Sequence, residues 1–191
     1  MSWKNDQVSE KETKRILELA AECLNAPGDF VEFGCYKGDT SLLIAELLVE
    51  KSVDKGAKKL WIYDSFEGLP EKTVQDDSVL GEDFKGGELF VTKREVKERF
   101  LRLGLPVPVI KKAWFKDLRP EDLPEKIAFA FLDGDFYESI RDSLKLVAPR
   151  MVPGGVLIVH DYSNPALPGV GRAVDEWRKS GADAQFEIVL L

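Results

Sequence analysis

The string VEFGCYKGDTS (31–41) sets glycines at 34 and 38 between an apolar run and a stretch of helical character. Gly34 and Gly38 lie in a turn where the backbone must come close to a ligand, and glycine leaves room for it. The helix that follows begins with unpaired N–H groups, with Thr40 or Ser41 beside them. The spacing Gly34-x-x-x-Gly38 is not the G-x-G-x-x-G that admits a pyrophosphate, which argues against a nicotinamide-dependent oxidoreductase. Glu32, two residues before the first glycine, suits a cationic or amino-bearing ligand better than a phosphate. Asp64 closes the apolar run LWIYD, where its carboxylate can accept both hydroxyls of a ribose. Each feature also has a plainer reading: such glycines occur in any α/β fold, and a lone Asp64 could be a solvated loop residue.

The elements that must position these residues alternate in character. Helical period runs over 9–25, with Ile16, Leu17, Leu19, Ala20, Cys23 and Leu24 on the buried side, and again over 40–51, 137–148 and 171–179. Strand character marks 29–34, 59–64, 107–114, 126–133, 154–161 and 185–191. This alternation predicts an α/β fold, a mostly parallel sheet with helices on both faces. Ligands of such sheets bind beyond the carboxyl ends of the strands. Glu32 to Gly38, Asp64 to Phe66, Trp114, Asp133 to Asp135, and His160 with Asp161 all fall at those ends. The long insert 67–95 reads either as a lid near the site or as a solvated excursion.

The 191 residues fit one domain, 1–191, with 44% hydrophobic and 32% charged residues. A net charge of -7 and no long basic run argue against a nucleic-acid partner. Cys23 and Cys35 make no disulfide framework. The polar start MSWKNDQVSEKETKR does not resemble a signal peptide, and the apolar runs are too short to span a bilayer. The expectation is a cytoplasmic protein with no membrane partner.

Glu32-x-Gly34 with Asp64 looks like the cofactor site of class I methyltransferases. IYDSFEGLP (62–70), FVEFGCYKGDTS (30–41), KKAWFKDLRPEDLPEKIAFAFLDGDFYES (111–139) and PGGVLIVHDYSNPALPGVGRAVDEW (153–177) resemble the macrocin O-methyltransferase family, the TylF/MycF-type sugar O-methyltransferases. The similarity runs in order over about residues 28–178. It implies a Rossmann-like class I methyltransferase fold that uses S-adenosyl-L-methionine to methylate a hydroxyl, on a sugar or glycosylated natural product. It further implies that Glu32, Gly34, Tyr36, Lys37, Gly38 and Ser41 surround the methionine end of that cofactor. Asp64 would hold the ribose, with Ser65 and Phe66 beside it. Trp114 and Phe115 would sit near the adenine, although Trp114 also fits the core.

The family uses a divalent metal, typically Mg²⁺, held by carboxylates at the ends of strands four and five. Asp133 and Asp161 match, whereas His160 stands where the family usually has an aspartate. Imidazole suits softer metals than Mg²⁺, so Asp133, His160 and Asp161 form the candidate metal set, with Mn²⁺, Fe²⁺ or Zn²⁺ as alternatives. Asp133 is the expected catalytic base, with Asp135 and His160 as other candidates. About 28 residues precede the first strand, fewer than the family's helical cap, and a single strand follows the last helix where the family's sheet ends in an antiparallel pair. Either FEIVLL takes the inner slot or the C-terminal edge is shortened, and an apolar edge would favour a homodimer. A catechol-type acceptor and a catalytically silent scaffold are the competing expectations.

Overall fold

The computed structural model describes residues 7–51, 58–81, 84–181 and 185–191. Among these residues, six strands form one sheet: β1 (Asp29–Phe33), β2 (Leu60–Asp64), β3 (Val109–Lys112), β4 (Ile127–Leu132), β5 (Met151–Val159) and β6 (Glu187–Leu190). Their order is β3-β2-β1-β4-β5-β6, and every pairing is parallel. The chain builds outward from β1 through β2 to β3, then returns to lay β4 against the other side of β1. The switch point of the sheet therefore lies between β1 and β4, where a crevice must open.

Among the described residues, five α-helices cover the two faces: α1 (Glu10–Glu22), α2 (Asp39–Lys51), α3 (Lys93–Arg102), α4 (Tyr137–Val147) and α5 (Pro168–Lys179). Alternation along each strand decides which helices its side chains meet. Phe30, Phe129, Phe131 and Ile158 pack with α1, α2 and α3. Val31, Phe33, Ala130, Leu132 and Val159 pack with α4 and α5. All six residues of β4 are buried, which explains its unbroken apolar run. Burial of Phe129 or Phe131 contributes about 1.5–3 kcal/mol each.

The expected elements differ from their ranges mainly at their ends, and one helix, α3, has no expected range, its first turn lying in the insert 67–95. The first helix breaks into a 3-10 turn at Cys23–Asn25, ahead of Pro27-Gly28. The last helix starts earlier than its periodicity suggested, because Pro168 is tolerated in a first turn that needs no N–H. At the C-terminal edge the strand lies directly beside β5 and no described strand lies beyond it, so the inner slot is filled and the edge is shortened as well. Glu187 to Leu190 run parallel to Val156 to Val159, with β6 outermost among the described residues. No described helix is long and apolar enough to cross a membrane.

Candidate functional site

Backbone strain marks where the site lies. Five described residues other than glycine have positive φ, and four of them follow the four central strands. These are Tyr36 (45°) after β1, Phe66 (51°) after β2, Asp135 (59°) after β4 and Asp161 (59°) after β5. Side chains resist this conformation, and residues held in it cluster at sites that need a fixed geometry. The four turns ring a cleft of about 200 Å³ at the switch point.

On the β1–β2 side, Glu32, Gly34, Tyr36, Lys37, Asp64 and Ser65 line the cleft. Glu32 is only 1% exposed. Burial raises its carboxyl to about 8; the hydrogen bond from the Ser41 hydroxyl opposes this, and the charges of Asp133, Asp64 and Asp39 add to it. A ligand cation placed here would relieve that penalty. Asp64 does more than face the cleft. Its Oδ2 accepts the N–H of Cys35 at 2.9 Å and of Tyr36 at 3.3 Å, while Oδ1 accepts the N–H of Phe66 at 2.7 Å. Arg99 of α3 clamps the same loop from outside, donating to the Lys37 carbonyl at 2.5 Å and to Asp39 at 2.6 Å.

Three of the expected cofactor residues do not line this cleft. Ser41 stands behind Glu32, its hydroxyl engaged there. Phe66 is 3% exposed, with its ring in the core under α1 to α3, and contributes through its backbone. Gly38 shapes the loop at φ +81°, against Val96 of α3. Trp114 and Phe115 both line the cleft half-buried, and Phe115 also packs edge-on against Phe33 at 5.1 Å.

Across the switch point, Asp133, Asp135, His160 and Asp161 face the same space. His160 Nδ1 lies 3.0 Å from Asp161 Oδ2 and 3.2 Å from Asp133 Oδ1. Burial would lower the imidazole, but its hydrogen bonds to Asp133 and Asp161 outweigh that and raise it to about 11. Burial likewise pushes Asp161 up, and here too the bond from His160 prevails, so its carboxyl is lowered overall. Asp135 is pushed well above the carboxylate range by burial and by Asp133 and Asp161. Asp133, His160 and Asp161 each offer one donor atom, all within 4.8 Å of one another. Two carboxylates and one imidazole suit a divalent cation.

Some lining residues escaped sequence reasoning. Gln7 and Val8 reach the cleft from the segment before α1. Glu12 places Oε2 3.9 Å from His160 Nε2. The Ser9-x-x-Glu12 capping box was readable, but its approach to His160 depends on how α1 packs. Asn164, which donates to Asp161 at 2.8 Å, and Leu167 line the cleft from the loop after β5. The long insert proves to be a wall, contributing Leu69, Pro70, Phe84 and Leu89.

Strand order and crevice together define a Rossmann-like methyltransferase fold. The solved structure of the O-methyltransferase NovP matches with a TM-score of 0.77 at 30% identity, over 91% of this chain and 73% of that one. The calicheamicin methyltransferase CalS11 shares the fold at a TM-score of 0.72 and 21% identity, over 87% and 70% of the two chains. Residues 11–185 match the family Macrocin-O-methyltransferase (TylF), and this chain belongs to that family. The 8-demethyl-8-(2,3-dimethoxy-alpha-L-rhamnosyl)-tetracenomycin-C 4'-O-methyltransferase of Streptomyces olivaceus is 35% identical over 157 residues, 80% of this chain and 58% of that protein. Demethyldecarbamoylnovobiocin O-methyltransferase of Streptomyces niveus is 33% identical over 171 residues, 86% of this chain and 61% of that protein. The chain spans about three fifths of the length of the curated relatives it matches.

Proposed function

We propose that this chain transfers a methyl group from S-adenosyl-L-methionine to a hydroxyl of a sugar or glycosylated natural product. The observation that carries the reading is one cleft with two kinds of wall. Glu32 and Asp64 line one side of the switch point, and Asp133, His160 and Asp161 the other. The related enzymes named above methylate oxygen, and one of their names specifies a rhamnosyl group.

Glu32 takes the amino end of the cofactor, and Asp64 a ribose hydroxyl, through the one Oδ1 lone pair left over from the loop bonds. Trp114 and Phe115 flank the adenine. The acceptor oxygen attacks the sulfonium methyl in line, so an O–C bond forms as the S–C bond breaks and S-adenosylhomocysteine leaves. Its proton passes to Asp133. In the metal-free protein His160, held as imidazolium, has no free lone pair for that task, and a metal would occupy that lone pair; Asp135, whose carboxyl burial pushes up, serves as a hydrogen-bond donor when protonated. Asp133, His160 and Asp161 would hold a divalent metal, which when bound lowers the pKa of an acceptor hydroxyl. Positioning two substrates in one cleft supplies much of the rate.

Calorimetry with S-adenosylhomocysteine, with and without Mg²⁺ or Mn²⁺, tests the cofactor half. Transfer of labelled methyl to a panel of rhamnosyl glycosides tests the acceptor half. Binding together with transfer that disappears in Asp133→Asn supports the reading. A folded protein that binds no S-adenosylhomocysteine overturns it, and one that binds it but methylates no hydroxyl is a silent scaffold.

A further inference from the structure

The wall of the cleft formed by the insert is fastened to the rest of the site at one buried carboxylate. Asp76 is 2% exposed. Its Oδ1 accepts the N–H of Tyr137 at 2.7 Å. Its Oδ2 accepts the N–H of Thr73 at 2.9 Å and the Thr73 hydroxyl at 2.8 Å. Tyr137 opens α4, and the residue before it, Phe136, provides no side-chain cap. A carboxylate 61 positions away in sequence therefore does the capping, at the helix end that favours negative charge.

The same oxygen stands against α5. A Cβ on Gly169 would lie 1.9 Å from Asp76 Oδ1, so glycine is what admits the carboxylate between the two helix starts. The turn before α4 carries Asp133 and Asp135, and the loop before α5 carries His160, Asp161 and Asn164. Two further ties join the insert to that second loop and to α5. The Ser78 hydroxyl donates to the Pro165 carbonyl at 2.8 Å, and Arg172 donates to the Gln75 carbonyl at 2.5 Å. The base of the insert closes on itself, with the Leu69 N–H donating to the Glu88 carbonyl and the Gly87 N–H to the Leu69 carbonyl, both at 2.8 Å.

We propose that Asp76 is a positioning residue that couples the insert to the turn bearing Asp133 and Asp135, so that the acceptor side of the cleft moves as one unit. It acts through the Tyr137 N–H and Thr73, without touching a substrate. An acceptor-only group is needed, because three donors converge on its two oxygens. The consequence for catalysis rests on the methyl-transfer reading; the mechanical coupling does not.

Asparagine separates coupling from capping. Its one carbonyl oxygen can serve Tyr137 or Thr73, and whichever way the amide turns, one tie is lost. If capping alone mattered, Asp76→Asn would behave as the wild type whenever the Tyr137 amide stays protected, with its oxygen kept on the Tyr137 N–H. The coupling predicts that Asp76→Asn and Asp76→Ala both lower kcat about tenfold or more on a rhamnosyl glycoside. The Kd for S-adenosylhomocysteine should stay within about twofold, because Glu32 and Asp64 lie across the switch point. Amide exchange by NMR should accelerate at Thr73 or Tyr137 and also at Leu69 and Gly87, with Cys35 and Tyr36 unchanged as controls. Faster exchange confined to Tyr137, with Leu69 and Gly87 protected and kcat intact, would overturn the proposal. Should the wild type bind no S-adenosylhomocysteine or methylate no glycoside, the methyl-transfer reading fails, and the exchange pattern alone still decides the coupling.

Discussion

A Cβ on Gly34 would lie 1.9 Å from the carbonyl oxygen of Asp133. The backbones leaving β1 and β4 thus touch at the switch point, so glycine here is required by the neighbouring strand as well as by any ligand. The Gly34 N–H donates to the Tyr63 carbonyl at 2.9 Å, and the Asp133 N–H to the Phe33 carbonyl at 2.8 Å, which locks three strand ends together.

Gly34→Ala is therefore expected to be much worse than replacement of a glycine whose Cβ position is open. It combines a positive φ of +85° with a backbone clash, at a cost of about 2–5 kcal/mol in total. Gly104 offers the control, since its φ is +67° but nothing lies within 4 Å of its Cβ position. Gly104→Ala should cost only the conformational part, about 1–2 kcal/mol. Chemical denaturation of both variants checks this, and equal losses would show that contact with Asp133 is easily relieved.

Asp64 joins two strand ends, because its Oδ2 holds the Cys35 and Tyr36 N–H groups while its Oδ1 holds Phe66. Asp64→Ala frees the loop and removes the proposed ribose partner at once. Hydrogen bonds to a charged group contribute about 1.5–3 kcal/mol each, so affinity for S-adenosylhomocysteine should fall about tenfold to a hundredfold or more. Asp64→Asn should fall between wild type and alanine, since the amide keeps one accepting oxygen. Calorimetry measures both, and unchanged affinity in the alanine variant would remove Asp64 from the cofactor site.

The strand ends were legible because their neighbours are: apolar runs such as IAFAFL stop at Asp133, and LWIYD stops at Asp64. Periodicity finds a run, and in a parallel sheet all the runs end on the same rim. Contacts made across the fold were not legible. Nothing local tells that Asp76 caps α4, that Arg99 holds Lys37, or that Glu12 approaches His160. Phe66 shows the same limit from the other side. The motif DSFEGLP placed it in the site, yet a positive φ turns its ring into the core and leaves only its backbone beside Asp64.

Glu32 gives the free protein a pH dependence of definite sign. Its carboxyl rises from 4.5 to about 8, chiefly by burial. Below pH 4.5 the folded and unfolded chains both hold the proton. Between pH 4.5 and about 8 the unfolded chain releases it while the folded chain retains it, so stability falls as pH rises and then levels off. Glu32→Gln should therefore gain thermal stability relative to wild type at pH 8 and little at pH 5, while losing cofactor affinity. In wild type, binding a cationic ligand should release a proton near neutral pH. Calorimetry in buffers of different ionisation enthalpy detects that release, and its absence would separate Glu32 from the ligand's charge.

If Asp133, His160 and Asp161 hold a divalent metal as proposed, His160 sets how tightly it binds at a given pH. In the free protein its bonds to Asp133 and Asp161 overcome burial and raise it from 6.5 to about 11, so the imidazolium lies where a cation would go. The stability this pairing confers is fully present below pH 6.5 and is lost as pH climbs toward about 11. Thermal melts of His160→Gln should accordingly show their largest deficit near pH 6 and a smaller one at pH 9. A divalent metal must displace the same proton to reach Nδ1. Mn²⁺ affinity should therefore rise about tenfold per pH unit between pH 7 and 9, the slope for release of one proton. His160→Asp replaces the imidazole with a third carboxylate, which should flatten that slope and favour Mg²⁺ over Mn²⁺ relative to wild type. Calorimetric titration of both ions into both proteins at three pH values measures this, and a wild-type Mn²⁺ affinity independent of pH would exclude His160 as a ligand.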